Sequence, residues 1–573
     1  MKRGKGKLNY VVLTIFIVIA IFLAITVIII SNTNFTGNVI NFFGGTQINY
    51  SDQDVSFFQM QQVSNDLKNS YVNKRYWVKE GSFYYFDIKD AANLINTIGN
   101  SMGLNPASPY GMVLAPMHPQ DKYSRENLLV PGSNLSMRFR MRSDEAIVII
   151  GISPPKSRFF SYIPYLASRD FNNQEPLAKI GNKIFNAISA KMLEGVNTTV
   201  DTSRYNYQGS FDYVPPLNDE VINTSKKLSG NADGAFVIIV TADQNLDISL
   251  INELKKNIFP KYGINPDVVN TIHVPADVLN MGFKNESDDF QIINRFAYVE
   301  NKTLGDLYIS NPPIKVLRIV PNIPENNFSK KFSFVNMPPK DTGISEEEYN
   351  ESLFALADAV KLAEFKSSRY LNSSARSTTL AGYLWLFEKC TKIGAGCGGD
   401  DQDAAYFSSL VMFNLTNTSD DFVVIVGMNH NATGKASYNN FVFYDLKYGM
   451  GIGSISQDNF FGSARKYLPY IDGLNVSASV KDKLKQNIDK FTAYKFSRVC
   501  GNESYCYTIP YNNYICVNST TGKVYACGTP ADAGVDSGVE IAVPERVYDD
   551  PLTNFGPSYN ELIPPFYLYY KKK

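Results

Sequence analysis

Histidine is scarce in this sequence, which contains only 3 in 573 residues. A general base at neutral pH is most often a histidine, so a histidine-dependent mechanism has few residues to choose from. His118 lies in a proline-flanked loop and His273 lies within a predicted strand, where structural roles are the better interpretation. His430 follows a predicted buried strand, and polar residues at strand ends often face a functional site.

An excess of charge of either sign is also missing. The 55 Lys and Arg residues balance the 55 Asp and Glu residues, and the isoelectric point is near 6.8. The basic blocks are the short one at the N-terminus and three lysines at 571–573, which are too few to indicate nucleic-acid binding, so the sequence predicts no nucleic-acid partner.

A long apolar run is present once, at residues 11–30, which are uncharged and long enough to cross a bilayer as a helix. Basic residues precede the run and no charge follows it until Asp52, so the positive-inside rule places the N-terminus in the cytoplasm. A cleaved signal peptide is the alternative, but residues 28–32 offer no small-x-small cleavage site. We predict a single-pass protein of the cell membrane, with a cytoplasmic tail (1–10), a signal-anchor in the lipid bilayer (11–30) and an extracellular body.

Cysteine is absent from the first 389 residues, and no C-x-x-C pair or zinc-ligand spacing occurs. An even number of cysteines on the exported side predicts three disulfides, although six cysteines permit fifteen pairings. Local pairs are the simplest arrangement, and residues 514–527 have the pattern of a hairpin that would place Cys516 opposite Cys527. The six are Cys390, Cys397, Cys500, Cys506, Cys516 and Cys527.

Asn-x-Ser/Thr sequons are frequent after the apolar run and none precedes it. An asparagine-rich composition would scatter sequons by chance, but their exported position favours N-glycosylation of several. The sites that we predict are Asn134, Asn197, Asn285, Asn414, Asn431 and Asn502.

Hydrophobic periodicity predicts an α+β fold with several domains in the exported body. After a stalk (31–54), residues 55–230 form a mixed α/β region. Residues 231–325 read as β-α-β-β-α-β, the order of a ferredoxin-like unit. Prolines between residues 321 and 343 suggest a linker, and residues 344–573 form a disulfide-stapled C-terminal α+β domain. Its first helix begins with a capping box of Ser345 and Glu348.

A G-x-S-x-G pattern occurs at residues 99–103 and invites a hydrolase interpretation. A nucleophile elbow requires a strand before the serine and a helix after it. Here a predicted helix precedes Ser101 and Pro106 follows, so Gly103 is better explained as a helix C-cap.

An acidic loop after Cys397 is the second candidate for chemistry, with Asp400, Asp401 and Asp403 within four residues. Such carboxylates can ligate Ca²⁺, although the spacing is not that of an EF-hand. A solvated turn held by a Cys390–Cys397 bridge is the plainer interpretation. If this loop meets His430, then His430 and Asp403 would be the catalytic pair, with binding residues close to His430 in sequence: Asn429, Lys435 and Tyr438.

Several stretches resemble an uncharacterised family of secreted proteins found in plants, fungi and bacteria. They are CTKIGAGCGGDDQDAAY from residue 390, VIVGMNHNATGKASYNNFVFY from residue 424, GISPPKSRFFSYIPY (151–165), VTADQNL (240–246) and DPLTNFGPSYNEL (550–562). The resemblance implies extracellular placement and a single architecture, and it assigns no catalytic residue. The apolar anchor and the many sequons depart from that family.

The sequence therefore favours a membrane-anchored, glycosylated surface protein with a binding or structural role and a cell-surface protein or glycan as its partner. The alternative is an anchored extracytoplasmic enzyme, a hydrolase or a metal-dependent enzyme, that uses His430 and the acidic loop.

Overall fold

Four large β-sheets, a two-stranded hairpin and several helices make up the described part of the chain. The computed structural model describes residues 54–98, 101, 106, 109–122, 133–155, 157–170, 204–210, 234–324, 330–334, 341–365, 369–376, 403–407, 413–416, 420–553 and 555–573. The predicted cytoplasmic tail, membrane span and most of the stalk lie outside these residues. Among the described residues, no helix is both long enough and apolar enough to cross a bilayer.

Two sheets form the N-terminal half. Sheet I has the strand order Tyr76–Glu80, Ile314–Pro321, Ala146–Ile152, Ala235–Thr241 and Val269–His273. Sheet II has the order Ser82–Phe86, Tyr110–Pro116, Asp289–Val299, Ser157–Asp170 and Arg204–Ser210, with Leu135–Ser136 beside its second strand.

Two further sheets form the C-terminal half. Sheet III has the order Arg369–Arg376, Phe566–Lys572, Phe422–Met428, Phe491–Ser497 and Cys506–Thr508. Sheet IV has the order Ala404–Phe407, Glu545–Tyr548, Tyr438–Asp445 and Met450–Ser456, with Ile541–Ala542 beside its third strand. A separate hairpin pairs Ile515–Val517 with Val524–Ala526.

Helices cover the outer faces of sheets I and III. The α-helices are Asp54–Asn73, Ala91–Ile98, Gln244–Asn252, Phe259–Tyr262, Lys302–Ser310, Asn350–Glu364, Gln457–Phe460, Leu468–Ile471 and Ala478–Gln486. A π-helical segment, Glu253–Ile258, joins the third of these to the fourth.

Strands that are apolar on both faces allow one sheet to pack against helices on one side and against a second sheet on the other. In Ala146–Ile152, Ile147 and Ile149 pack in the core between sheets I and II, while Val148 and Ile150 pack against the helices. Residues of a strand alternate between its faces, so a continuous apolar run fills two cores. Strand Phe422–Met428 does the same between sheet IV on one side and helix Asn350–Glu364 on the other.

Sheets II and IV meet in the middle of the molecule. Phe159 and Ala297 of sheet II pack on Ala404, Tyr438 and Tyr548 of sheet IV. The layers therefore run from helices through sheets I, II, IV and III to helices, and the strands of sheet IV are covered on both sides.

One glycine lets the chain pass from sheet I to sheet II. Gly81 separates strand Tyr76–Glu80 from strand Ser82–Phe86. A Cβ at Gly81 would lie 2.4 Å from the carbonyl oxygen of Leu114 and 2.9 Å from the side chain of Val316. Any larger residue would therefore separate the two sheets at this crossing.

The mixed α+β fold with several sheets is confirmed, but the ferredoxin-like unit within it is wrong. All six of its elements occur in the predicted order. However, strand Asp289–Val299 pairs with Ser157–Asp170 in sheet II, whereas the other three strands belong to sheet I. Periodicity identified each strand from its own residues, but pairing depends on the aromatic core between the two sheets, which includes Phe290 and Phe296.

Residues 137–152 alternate in polarity and then become continuously apolar, which predicts a hairpin, and this prediction is also wrong. Only its second strand forms, as Ala146–Ile152, and it pairs with Ala235–Thr241 and Ile314–Pro321. In the first half, Arg140 Nε instead lies 2.8 Å from Asp289 Oδ1 and Arg142 Nε lies 2.8 Å from Asp144 Oδ1.

Two disulfides are confirmed among the described cysteines. Cys516–Cys527 closes the predicted hairpin, and Cys500–Cys506 closes a shorter loop. Cys390 and Cys397 lie outside the described residues.

Candidate functional site

His430 lies where the central strand of sheet III ends. Strand Phe422–Met428 is wholly buried, and the chain then turns, with the amide of Asn429 donating to the carbonyl of Lys490 at 2.8 Å. The amides of Lys435 and Ala436 both donate to the carbonyl of His430. This turn carries His430 into the space beneath sheet IV, where its side chain is fully buried.

Two glutamates bracket the imidazole. Nδ1 of His430 lies 2.9 and 3.0 Å from the two carboxylate oxygens of Glu346, and Nε2 lies 3.4 Å from Oε1 of Glu545. The exposed fractions of the three side chains are 0%, 1% and 0%. The ring of Phe407 stacks over the imidazole at a centroid distance of 6.2 Å.

Other parts of the chain hold the glutamates in place. Glu346 accepts hydrogen bonds from the amide of Ile563 at 3.1 Å and from the hydroxyl of Thr433. Glu545 begins strand Glu545–Tyr548 and accepts from Nδ2 of Asn439 at 3.3 Å. His430 therefore connects three parts of the chain: sheet III, sheet IV and the segment before helix Asn350–Glu364.

The charges favour a protonated imidazole. Burial alone lowers the pKa of His430, but the charges and hydrogen bonds of Glu346 and Glu545 outweigh it and raise this pKa to about 10. Burial also raises the pKa of Glu545, and the charge of His430 opposes that rise. The cluster is thus a buried ion triad in which one imidazolium joins two carboxylates.

Several polar atoms around Glu545 have no hydrogen-bond partner among the described residues. They are Oε2 of Glu545, Oδ1 of Asn439 and Nε2 of Gln457, while Nε2 of His430 has only the 3.4 Å contact with Oε1 of Glu545. A buried polar atom without a partner costs free energy, so a cluster of such atoms points to strain or to a functional role.

Lys435, predicted as a binding residue, lies in a second buried ion cluster. Its Nζ is 2.7 Å from Oδ2 of Asp550 and 2.7 Å from Oε2 of Glu561, and it donates to the hydroxyl of Thr342 at 2.9 Å. Its side chain is 1% exposed. The hydrogen bonds and charges of the two carboxylates outweigh burial and raise the pKa of Lys435.

The other predicted site residues do not join His430. Asp403 is fully buried and its carbonyl accepts from the amide of Asp549, but the hydrogen-bonding carboxylates of His430 are Glu346 and Glu545. Asn429 is buried in the turn, and Tyr438 stacks on Tyr548 at a centroid distance of 5.3 Å.

The predicted calcium ligands are only partly described. Asp400 and Asp401 lie outside the described residues. Within the described ranges, no group of three acidic, histidine or cysteine side chains is placed to hold a metal ion.

The serine of the G-x-S-x-G pattern is buried and hydrogen-bonded to the backbone, as expected of a structural residue. Helix Ala91–Ile98 precedes Ser101, as predicted, and the Ser101 hydroxyl donates to the carbonyl of Gly449 at 2.8 Å. The side chain is fully buried.

Sequence reasoning missed Glu346 and Glu545. Glu346 stands in a run of three glutamates, and only its burial distinguishes it from Glu347 and Glu348, which are exposed. Glu545 starts an otherwise ordinary strand. Neither is near His430 in sequence, so no local motif connects them.

No family model matches this chain, and no curated protein matches its sequence. Two solved structures are similar over most of their lengths. One is an uncharacterised protein from Burkholderia cenocepacia, with 7% identity, 93% of this chain and 92% of that chain covered, and a TM-score of 0.32. The other is the VPA0106 protein from Vibrio parahaemolyticus, with 8% identity, 90% and 98% covered, and a TM-score of 0.29. Similarity at this level identifies no shared activity.

Proposed function

We propose that this protein is a membrane-anchored surface protein that binds a partner outside the cytoplasm and does not catalyse a reaction. The observation that supports binding over catalysis is the complete burial of His430 and both its glutamates. A catalytic histidine must reach its substrate, whereas this one is neutralised on both sides by carboxylates of its own chain.

The disulfides support extracytoplasmic placement. Cys500–Cys506 and Cys516–Cys527 would be reduced in the cytosol of most cells but persist in oxidising compartments. The sequons are compatible with this placement, since Asn134, Asn285 and Asn502 are exposed. Asn431 is also exposed, Asn414 is half-buried, and Asn197 lies outside the described residues.

Protease treatment of intact cells that express the full chain tests the topology. If the N-terminus is cytoplasmic and residues 11–30 span the membrane, added protease removes the body and leaves a short N-terminal fragment. Full protection of the body, with degradation only after the cells are lysed, would contradict the proposal.

An extracytoplasmic enzyme that uses His430 and Glu545 is the second candidate. The unpartnered atoms of Glu545, Asn439 and Gln457 favour it, because active sites often hold polar atoms that only a substrate satisfies. A screen of the purified full chain against ester, phosphate and glycoside substrates tests this candidate. Activity that His430→Gln abolishes, at a temperature where circular dichroism shows the variant to be folded, would establish the enzyme. Absence of turnover on every class leaves the binding proposal.

A further inference from the structure

Sheet IV carries a second group of buried polar residues on the face opposite His430. Successive residues of a strand point to opposite faces, so Glu545 and Arg546 diverge. Glu545 faces His430, whereas Arg546 faces sheet II. Across the sheet, Tyr406 and Asn440 are the register partners of Arg546, on the two neighbouring strands.

Arg546 is a buried cation with few partners. Its residue is 8% exposed, and Nη2 donates to the hydroxyl of Tyr444. Nε and Nη1 have no hydrogen-bond acceptor among the described residues. The rings of Tyr406 and Tyr444 flank the guanidinium, with their centroids 5.6 and 5.5 Å from its central carbon.

Asn440, the register partner of Arg546, also has polar atoms without hydrogen-bond partners. It is fully buried, and neither its Nδ2 nor its Oδ1 has a hydrogen-bond partner within the described ranges. Directly paired residues of an antiparallel sheet have Cβ atoms only about 5 Å apart. The side chains of Asn440 and Arg546 therefore leave neighbouring strands on the same face of the sheet.

Sheet II contributes a second guanidinium to the same place. Nη1 of Arg295 donates to the hydroxyl of Tyr406 at 3.0 Å, and the group also lies over the ring of Tyr110 at 5.1 Å. The hydroxyl of Tyr406 thus contacts the guanidinium of Arg295, and its ring contacts the guanidinium of Arg546. Tyr406 is only partly buried, so this group of polar residues reaches the protein surface at Tyr406.

Burying a guanidinium and an amide without hydrogen-bond partners costs free energy of folding unless another group supplies acceptors. Arginine N–H groups match the oxygens of an anion, and tyrosine rings provide flat walls for the rest of a small molecule. The chain offers no acceptor for Nε and Nη1 of Arg546 in the described part, which leaves a bound anion as the group that would satisfy them.

We propose that Arg546, Asn440, Tyr406 and Tyr444 form a binding site for a small organic carboxylate. The carboxylate oxygens accept from one of the open donors of Arg546, Nε or Nη1, and from Nδ2 of Asn440. The two tyrosine rings contact the apolar part or sugar ring of the ligand. This inference rests on the proposed binding function and names the ligand class that it would serve.

Titration of the purified full chain with acetate, benzoate and D-glucuronate tests the site, with D-glucose as the neutral match of glucuronate and inorganic phosphate as a different anion. Calorimetry should show saturable binding of at least one carboxylate, a matching rise in melting temperature and no binding of glucose. Absence of saturable binding by all three carboxylates overturns the proposal, as does tighter binding of phosphate than of any carboxylate.

Two variants separate a binding role from a structural one. Arg546→Gln should weaken carboxylate binding at least tenfold. Asn440→Leu should weaken it as well, yet should keep or raise the melting temperature without ligand, because it removes unpartnered polar atoms. Arg465→Gln, which changes an exposed arginine paired with Asp489, is the control and should leave binding unchanged.

Unchanged affinity in the folded Asn440→Leu variant would overturn the site even if Arg546→Gln does not fold. The protease experiment on intact cells is independent of these titrations. A protein that is extracellular but binds no carboxylate would therefore retain the proposed location and lose only this ligand.

Discussion

At the scale of single residues, the molecule places several charges where water cannot reach them. His430 with Glu346 and Glu545 forms one such cluster, and Lys435 with Asp550 and Glu561 forms another. Removing one member of a buried ion cluster leaves the others unneutralised, which costs far more than losing an exposed pair. These two clusters are therefore where single substitutions should have large effects.

The His430 cluster should make stability depend on pH. The pKa of His430 is raised from its usual 6.5 to about 10, so its contribution is complete below about pH 6.5 and is lost as the pH rises toward 10. The raised pKa of Glu545 acts in the same direction, starting at lower pH. We expect the free energy of unfolding to fall by roughly 2–3 kcal/mol between about pH 6.5 and pH 9.

Urea denaturation of wild type and His430→Gln at several pH values measures this effect. The variant should be less stable at neutral pH and should show a much smaller decline above it, because glutamine does not titrate. Parallel pH profiles for the two proteins would mean that His430 is not charged in the folded state.

Lys435→Met should destabilise the protein strongly. It removes the cation between Asp550 and Glu561 while keeping a side chain of similar length, and we expect a loss of about 3–5 kcal/mol. Lys483→Met is the matched control, since Lys483 pairs with Glu348 near the surface and such pairs contribute at most about 1 kcal/mol. Thermal unfolding of both variants compares the two, and equal shifts would show that the Lys435 cluster is not buried in solution.

At the scale of elements, the disulfide-closed hairpin can be tested separately from the sheets. Cys516 and Cys527 are 11 residues apart, and closing such a loop stabilises a protein by about 3 kcal/mol in the chain-entropy model. We expect the Cys516→Ser, Cys527→Ser double variant to melt several degrees lower than wild type under oxidising conditions. Under a strong reductant the two proteins should melt much closer together, and a difference that persists there would assign the effect to the serines.

Element identity could be read from the sequence much better than element pairing. The runs at residues 235–241, 314–320 and 421–427 are rich in apolar residues and bounded by polar ones, a pattern that indicates a buried strand, and a strand forms at each. The predicted capping box of Ser345 and Glu348 is wrong, because helix Asn350–Glu364 begins after Tyr349 without a side-chain cap and Ser345 only accepts from the amide of Glu347. The partners of these strands depend on aromatic packing between sheets, which periodicity does not encode.

The candidate sites could likewise be predicted only in part from the sequence. His430 was identified because it follows a buried strand, but its partners come from a glutamate run before a helix and from the start of a distant strand. Arg546 and Asn440 gave no signal at all, since an arginine or an asparagine in a strand is ordinary until its register partners are known.

At the scale of the whole molecule, the two halves share a core. Helix Ala91–Ile98 belongs to the N-terminal half in sequence, but Ala91, Ala92 and Ile95 pack in the core between sheets III and IV. Asn96 also exchanges two hydrogen bonds with the backbone of Val524 in the disulfide-closed hairpin. The predicted boundaries at residues 231, 325 and 344 stay predictions, but the C-terminal half is incomplete without this helix.

Ile95→Ala should therefore destabilise the C-terminal half. Ile95 is fully buried, and truncating such a side chain costs about 2–5 kcal/mol. Hydrogen exchange should become faster in strands Tyr438–Asp445 and Phe491–Ser497, and more so than for Ile248→Ala, an exposed isoleucine on helix Gln244–Asn252. Faster exchange confined to sheet I would contradict the shared core.

The position of strand Phe566–Lys572 in sheet III has a consequence for how the protein is made. This strand lies between Arg369–Arg376 and Phe422–Met428, so it joins segments that a ribosome produces much earlier. Until residue 572 has emerged, both earlier strands have an open edge and the helices beside them lack part of their apolar support. The nascent C-terminal half must therefore wait in an unfinished form, in which protection by a chaperone would matter most.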